Sequence, residues 1–228
     1  MAAAPELEAR VERLGDHGGD TRSLFLRLPG GQRLLFVPGQ FISCHLPVGG
    51  EVLTRPYSLA SSPEDEQLEI CLNRVPAGRG SAYLLGLPVG ATVRFTGPWG
   101  NFTLERAPDA EAVFIADGAG IAPIRPMLRR ALATGGRHPL RLLYGTGAGQ
   151  PVLYRGDLER LACEHAAFGF EHVASAAFPD EVARRWVDAD ADRSRRFFVC
   201  GVGQIVLALR DLLRHAGYER RAVQYEKW

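Results

Sequence analysis

Four short segments carry residue types able to grip a phosphate or a flat aromatic ring. Arg55-Pro56-Tyr57-Ser58 puts a guanidinium, an aromatic face and a small hydroxyl within four residues of a turn-like segment. A planar guanidinium binds two phosphate oxygens at once. An exposed arginine in an ordinary turn would leave the same four letters. Gly78-Arg79-Gly80-Ser81 opens a short stretch of helical character, Ser81–Leu87. Free N–H groups at a helix start, with a serine hydroxyl, favour an anion. The competing reading is Ser81 capping its own helix. Asp117-Gly118-Ala119-Gly120 lies between an apolar run and a helical stretch with Pro123 in its first turn, where proline is tolerated. An open α/β sheet holds a dinucleotide pyrophosphate at such a place, though the full three-glycine fingerprint is missing. Cys200-Gly201 ends a later strand-like run, either as a thiol beside a redox ring or as a buried structural cysteine.

The elements that must position these residues fall into two halves with different periods. Thr21–Leu28, Arg33–Val37, Phe41–Leu46, Gln67–Val75 and Thr92–Phe95 are short strand-like segments punctuated by glycine and proline. Their spacing indicates an all-β barrel or sandwich. After Pro108 the pattern changes. Ala112–Ala116 is a continuous apolar run, as a strand buried on both faces requires. Leu140–Tyr144, Gly169–Ser175, Arg196–Cys200 and Val223–Tyr225 follow as strands. Helical spacing over Ala122–Ala133, Leu153–Glu164, Glu181–Val187 and Ile205–Ala216 fills the gaps between them. Alternating strands and helices predict a doubly wound parallel sheet. The expected domains are 1–108 and 109–228.

Composition narrows the chemistry. The chain has 228 residues, 46% hydrophobic and 23% charged, enough for two compact domains. A formal net charge of +1 argues against a dedicated nucleic-acid binder. The apolar runs are far shorter than the roughly 18 residues that span a bilayer, and the acidic, polar start is unlike a signal peptide. A soluble cytoplasmic protein is expected. The four cysteines are scattered without a Cys-x-x-Cys pair, which excludes a plant-type iron–sulfur ligand set and makes a disulfide framework unexpected. The six histidines show no metal-ligand spacing, and no Gly-x-Ser-x-Gly elbow occurs. Redox chemistry here therefore needs an organic cofactor or at most one free thiol.

Taken in order, PGQF (38–41), RPYS (55–58), GRGS (78–81), GPWGNF (97–102), FIADGAGIAPIRPML (114–128), LLYG (142–145) and FFVCG (197–201) precede the tail Glu226-Lys227-Trp228. This series resembles the ferredoxin–NADP reductase superfamily over nearly the whole chain. The resemblance implies an N-terminal antiparallel flavin-binding β-barrel and a C-terminal doubly wound α/β nucleotide domain, with the flavin at their junction. Arg55 would pair with the flavin pyrophosphate, Tyr57 would stack on the isoalloxazine, Pro56 would complete the contact, and Ser58 would sit near N5. Gly80 and Ser81 would hold the pyrophosphate, favouring FAD over FMN. Gly118, Ala119 and Gly120, with Pro123 and Gly201, would receive NADH or NADPH. Cys200 and Glu226 would lie close to the reacting ring and join Ser58 in catalysis. Trp228 would cover or edge the flavin as a gate. Three departures stand out: Ala119 replaces a threonine, Asp117 replaces a small residue, and Val202-Gly203 replaces prolines.

The leading functional expectation is an FAD-dependent NAD(P)H oxidoreductase that passes electrons to a separate acceptor, such as a ferredoxin, flavodoxin or oxygenase component. A free-flavin or quinone reductase is an alternative. So is a flavin-binding electron-transfer subunit with weakened nucleotide binding. A monomer or weak dimer is expected, with no metal, nucleic acid or membrane insertion. A mild preference for NADH follows from Ala174-Ser175-Ala176-Ala177-Phe178, where no base accompanies the end of the third strand, although Arg184 and Arg185 lie on the next helix.

Overall fold

The computed structural model describes residues 5–18, 20–189 and 191–227. The N-terminal half contains β1 (Leu7–Gly18), β2 (Thr21–Arg27), β3 (Phe41–Val48), β4 (Glu51–Ser58), β5 (Leu68–Asn73), α1 (Arg79–Leu85) and β6 (Thr92–Trp99). The six strands pair antiparallel in the order β4-β3-β6-β1-β2-β5. Just past β4, Leu59 bridges Ile70 of β5, and the Ala60 N–H donates to the Glu69 carbonyl at 2.7 Å. The two outer strands thereby meet, and the sheet curls into the expected barrel. Alternate side chains fill it, among them Val11, Leu24, Leu26, Ile42 and Phe95.

The C-terminal half runs β7 (Ala112–Asp117), α2 (Ile121–Ala133), β8 (Leu140–Thr146), α3 (Arg155–Glu164), β9 (Phe168–Ala174), α4 (Phe178–Trp186), β10 (Arg196–Gly201), α5 (Gly203–His215) and β11 (Val223–Lys227). All five strands are parallel, in the order β11-β10-β7-β8-β9. Phe114 and Ala116 of β7 pack with Ile124, Met127 and Leu158 from α2 and α3. Val113 and Ile115 pack on the opposite face with Val182, Leu209 and Leu213 from α4 and α5. The apolar run is thus explained by burial on both faces. No helix among the described residues is long and apolar enough to cross a membrane.

Three elements differ from expectation. Arg33–Val37 forms no strand. Leu34 and Phe36 do turn onto the core and Leu35 is 86% exposed, but the backbone has no ladder partner. β1 was not foreseen, because its charged residues mask the two buried positions, Ala9 and Val11. Arg55-Pro56-Tyr57-Ser58 is not a turn but the end of β4. Pro56 is tolerated there because β4 is an outer strand, where a missing N–H leaves no ladder bond unmade. The helix starts shift by one to three residues. α3 begins at Arg155 because Tyr154, at φ 56°, breaks the helical path just before it.

Candidate functional site

β4 pairs only with β3, so much of Arg55-Pro56-Tyr57-Ser58 remains open. Arg55 has no carboxylate partner among the described residues; its Nη1 donates to the neighbouring Thr54 carbonyl at 2.8 Å. Gly80, in the first turn of α1, lies directly beneath. A Cβ there would stand 3.1 Å from Arg55 Cγ and 3.6 Å from the Tyr57 hydroxyl. The absent side chain lets the guanidinium and the tyrosine ring lie against the helix start. Burial pushes the Tyr57 phenol up to about 12, so it stays a neutral, half-buried ring. The Ser81 hydroxyl is committed to its own loop, donating to the Gly78 carbonyl at 3.0 Å and accepting from the Val75 N–H at 3.2 Å. What α1 offers outward is therefore backbone N–H, since the first turn has no intrahelical acceptors.

Ser58 and Glu226 join the two halves. Ser58 stands opposite Phe41 of β3, and Phe41 opposite Trp99 of β6. The Ser58 hydroxyl donates to Glu226 Oε1 at 3.1 Å. Glu226 in turn lies opposite Cys200 of β10, and Cys200 opposite Ala116 of β7. A continuous line of neighbours thus crosses from one sheet to the other. Burial raises the Glu226 carboxyl above its ordinary value, opposed by the Ser58 hydrogen bond. Burial, and then the nearby Glu226 and Asp117 carboxylates, push the Cys200 thiol well up, so it is a neutral thiol and not a thiolate. Cys200 is 1% exposed and packs in the core, as a structural cysteine does.

Gly118, Ala119 and Gly120 form a tight turn between β7 and α2. Close approach dictates its glycines. A Cβ on Gly120 would fall 2.1 Å from the Cys200 carbonyl oxygen, and one on Gly201 would fall 2.4 Å from Asp117 Cβ. Gly120 and Gly201 therefore hold β7 and β10 ends together, while Gly118 and Ala119 stay accessible. Pro123 is buried inside α2. The Asp117 carboxylate does not hang free beside this turn. Its Oδ1 accepts from the Ser175 hydroxyl at 2.5 Å and its Oδ2 from the Val202 N–H at 3.3 Å. One carboxylate thus ties together the ends of β7, β9 and β10.

A cleft of about 300 Å³ opens at this edge, walled by Asp117, Gly118, Ala119, Gln150, Ser175 and Val202. Open α/β sheets bind ligands at the carboxyl ends of their strands. Thr21 and Asn73 of the barrel form its far wall. Buried Tyr144 sets its shape: its hydroxyl donates to the Gly118 carbonyl at 3.0 Å and accepts from the Leu153 N–H at 3.2 Å. In the sequence Tyr144 stood out as a strand end and as part of the LLYG series, with no sign of this role.

A second polar centre, unforeseen in the sequence, fastens the halves behind the cleft. Buried Glu69 of β5 accepts from Ser23 of β2 at 2.6 Å, the Tyr154 hydroxyl at 2.8 Å and Arg125 of α2 at 2.9 Å. Arg125 also donates to Asp157 at 2.8 Å and lies over the Tyr154 ring. Trp228 lies outside the described residues.

FAD fits the residues present. A guanidinium with no carboxylate partner among the described residues, a neutral tyrosine ring and a glycine-floored helix start converge on an open strand edge, matching pyrophosphate and isoalloxazine in turn.

Comparison with known proteins agrees with this arrangement. The oxidoreductase FAD-binding domain family matches residues 8–104, and the oxidoreductase NAD-binding domain family matches residues 114–209. Ferredoxin–NADP reductase B of Sorangium cellulosum (strain So ce56) is 32% identical over 243 residues, covering 100% of both chains. The toluate 1,2-dioxygenase electron transfer component of Pseudomonas putida is 28% identical over 97% of this chain and 67% of its own. The flavohemoprotein of Burkholderia sp. (strain TH2) is 36% identical over 95% of this chain, which spans 57% of that protein. Among solved structures, a cytochrome P450 reductase from Amycolatopsis superposes with a TM-score of 0.84 at 28% identity, covering 100% of this chain and 71% of that one. A ferredoxin NADP+ reductase from Neisseria gonorrhoeae with bound FAD and NADP shares the fold, with a TM-score of 0.81 at 20% identity and 99% coverage of each chain. On the two domain matches and the full-length relative, the chain belongs to the ferredoxin reductase-type FAD- and NAD-binding oxidoreductases.

Proposed function

We propose that this chain carries electrons from a nicotinamide nucleotide, through FAD, to a separate iron–sulfur protein of the ferredoxin or oxygenase-component type. The observation that carries the reading is the end-to-end match to a protein named for ferredoxin reduction, which has the same extent as this chain. Bound there, FAD would supply the means to take up a hydride from the nucleotide and pass its two electrons on singly, which a nicotinamide cannot.

The protein's own share is positioning and charge. Arg55 and the N–H groups opening α1 hold the pyrophosphate, and Tyr57 with Pro56 sets the plane of the flavin ring. Gly118 and Ala119 admit the nucleotide to the cleft, with Gly120, Gly201 and Pro123 packed behind them. Ser58 orients its hydroxyl by donating to Glu226, whose carboxyl burial raises above its ordinary value at the junction. Cys200 stays a neutral thiol beside Glu226 on the neighbouring strand and carries no charge of its own. The domains divide near residue 108, between β6 and β7, and the working unit is a monomer or weak dimer.

The test supplies the FAD-loaded protein and NADH or NADPH with a plant-type [2Fe–2S] ferredoxin, free FMN or a quinone, each in turn. Reduction of the ferredoxin at a rate above that of free FMN and quinone is expected. Faster reduction of FMN or quinone would replace this reading with a small-molecule reductase. Failure to oxidise either nucleotide with ferricyanide would point to an electron-transfer subunit.

A further inference from the structure

We infer that Asp117 makes the nucleotide cleft selective against a 2′-phosphate, so that this chain uses NADH over NADPH. The inference rests on the proposed use of the cleft as the nucleotide site. Among the described residues, Asp117 is the only charged side chain in the cleft wall, where no arginine, lysine or histidine appears. It is 6% exposed, so its charge is weakly screened. The hydroxyl of Ser175, at the end of β9, points to it and not to solvent. The arginines of the following helix are occupied. Arg184 donates to Glu181 at 2.6 Å, and Arg185 donates to Glu181 at 2.8 Å and to Glu171 at 2.6 Å.

In doubly wound nucleotide folds an acidic side chain suits the ribose 2′-hydroxyl of NAD, and an arginine accommodates the 2′-phosphate of NADP. Here the acid precedes the glycine turn and reaches the end of β9, where that choice is made, through its hydrogen bond to Ser175, and no arginine lines the cleft. A phosphate monoester adds a charge of about −1.5 to −2. It would meet one fixed carboxylate and no counter-charge. The pyrophosphate, common to both nucleotides, also feels Asp117, but that effect cancels when the two are compared. The full-length relative is named for NADP, so on this point the chain departs from it.

Titration calorimetry of the FAD-loaded protein with NAD+ and NADP+ tests the inference directly. Wild type should bind NAD+ at least about tenfold more tightly, and the gap should change little with salt because a buried charge is weakly screened. Asp117→Asn keeps both hydrogen bonds, its oxygen accepting from the Val202 N–H and its nitrogen donating to Ser175, while removing the charge. It should narrow the affinity ratio by about tenfold. Ser175→Ala removes the same hydrogen bond but leaves the charge, and should move both affinities together. Equal or tighter NADP+ binding by wild type overturns the inference without salt or variants entering. So does a ratio unchanged in Asp117→Asn, or one changed equally in Ser175→Ala. Either result with NAD+ bound leaves the nucleotide site standing. If neither nucleotide binds, the site itself is misassigned, and the inference falls with it.

Discussion

The Ser58 hydroxyl and the Glu226 carboxylate meet at 3.1 Å although 168 residues separate them. One belongs to the outer strand of the barrel and the other to the outer strand of the parallel sheet. Neither domain alone can form this contact, so the junction exists only when both are folded and docked.

Glu226 should leave a pH signature. Its carboxyl is raised above the ordinary 4.5 by burial. A raised acid contributes stability that is complete below the unfolded-state value and is lost as pH rises through the folded-state value. Glu226→Gln cannot ionise, so its stability should fall less than that of wild type from pH 4.5 toward neutrality. Urea midpoints for both proteins across that window give the comparison, and parallel profiles would count against the raised carboxyl.

Arg55→Ala should weaken FAD retention roughly ten- to a hundredfold, since losing a charge-assisted hydrogen bond to a phosphate costs about 1.5–3 kcal/mol. Fluorescence of released flavin on dilution measures it. Because Arg55 is exposed and forms no ion pair among the described residues, the melting temperature of the FAD-free protein should stay near that of wild type. A large drop in that temperature would show a structural role instead.

The link between Arg125 and Glu69 should behave as a buried pair. Their side chains are 11% and 4% exposed. Arg125→Met strands the Glu69 carboxylate and should cost about 3–5 kcal/mol in urea unfolding. Adding Glu69→Gln, which removes the stranded charge, should restore part of that loss. An additive double variant would mean that the two residues do not act together.

What could be read from the sequence follows from where information is local. The parallel sheet was legible because a strand buried on both faces must be a continuous apolar run, as Ala112–Ala116 is. The glycine turn after it was legible because its neighbours in the chain are also its neighbours in space. β4 was not, because Pro56 and the preceding charged and glycine residues read as a turn, and only the pairing with β3 makes them a strand. The Glu69 centre was also hidden. Glu69 alternates with Leu68 and Ile70 along its strand, and its arginine lies 56 residues away on α2. The Ser58–Glu226 contact was not legible: the family resemblance placed both residues near the flavin ring, but nothing local joins the two positions.

If this junction is the redox centre, nucleotide electrons enter FAD here. Rapid anaerobic mixing of the FAD-loaded protein with NADH measures that step alone, with no acceptor protein involved. The flavin absorbance should bleach in a single turnover. Ser58→Ala and Glu226→Gln should each slow the bleaching by roughly ten- to a hundredfold while FAD stays bound. Absence of bleaching with both NADH and NADPH, or full-rate bleaching in both variants, would contradict it.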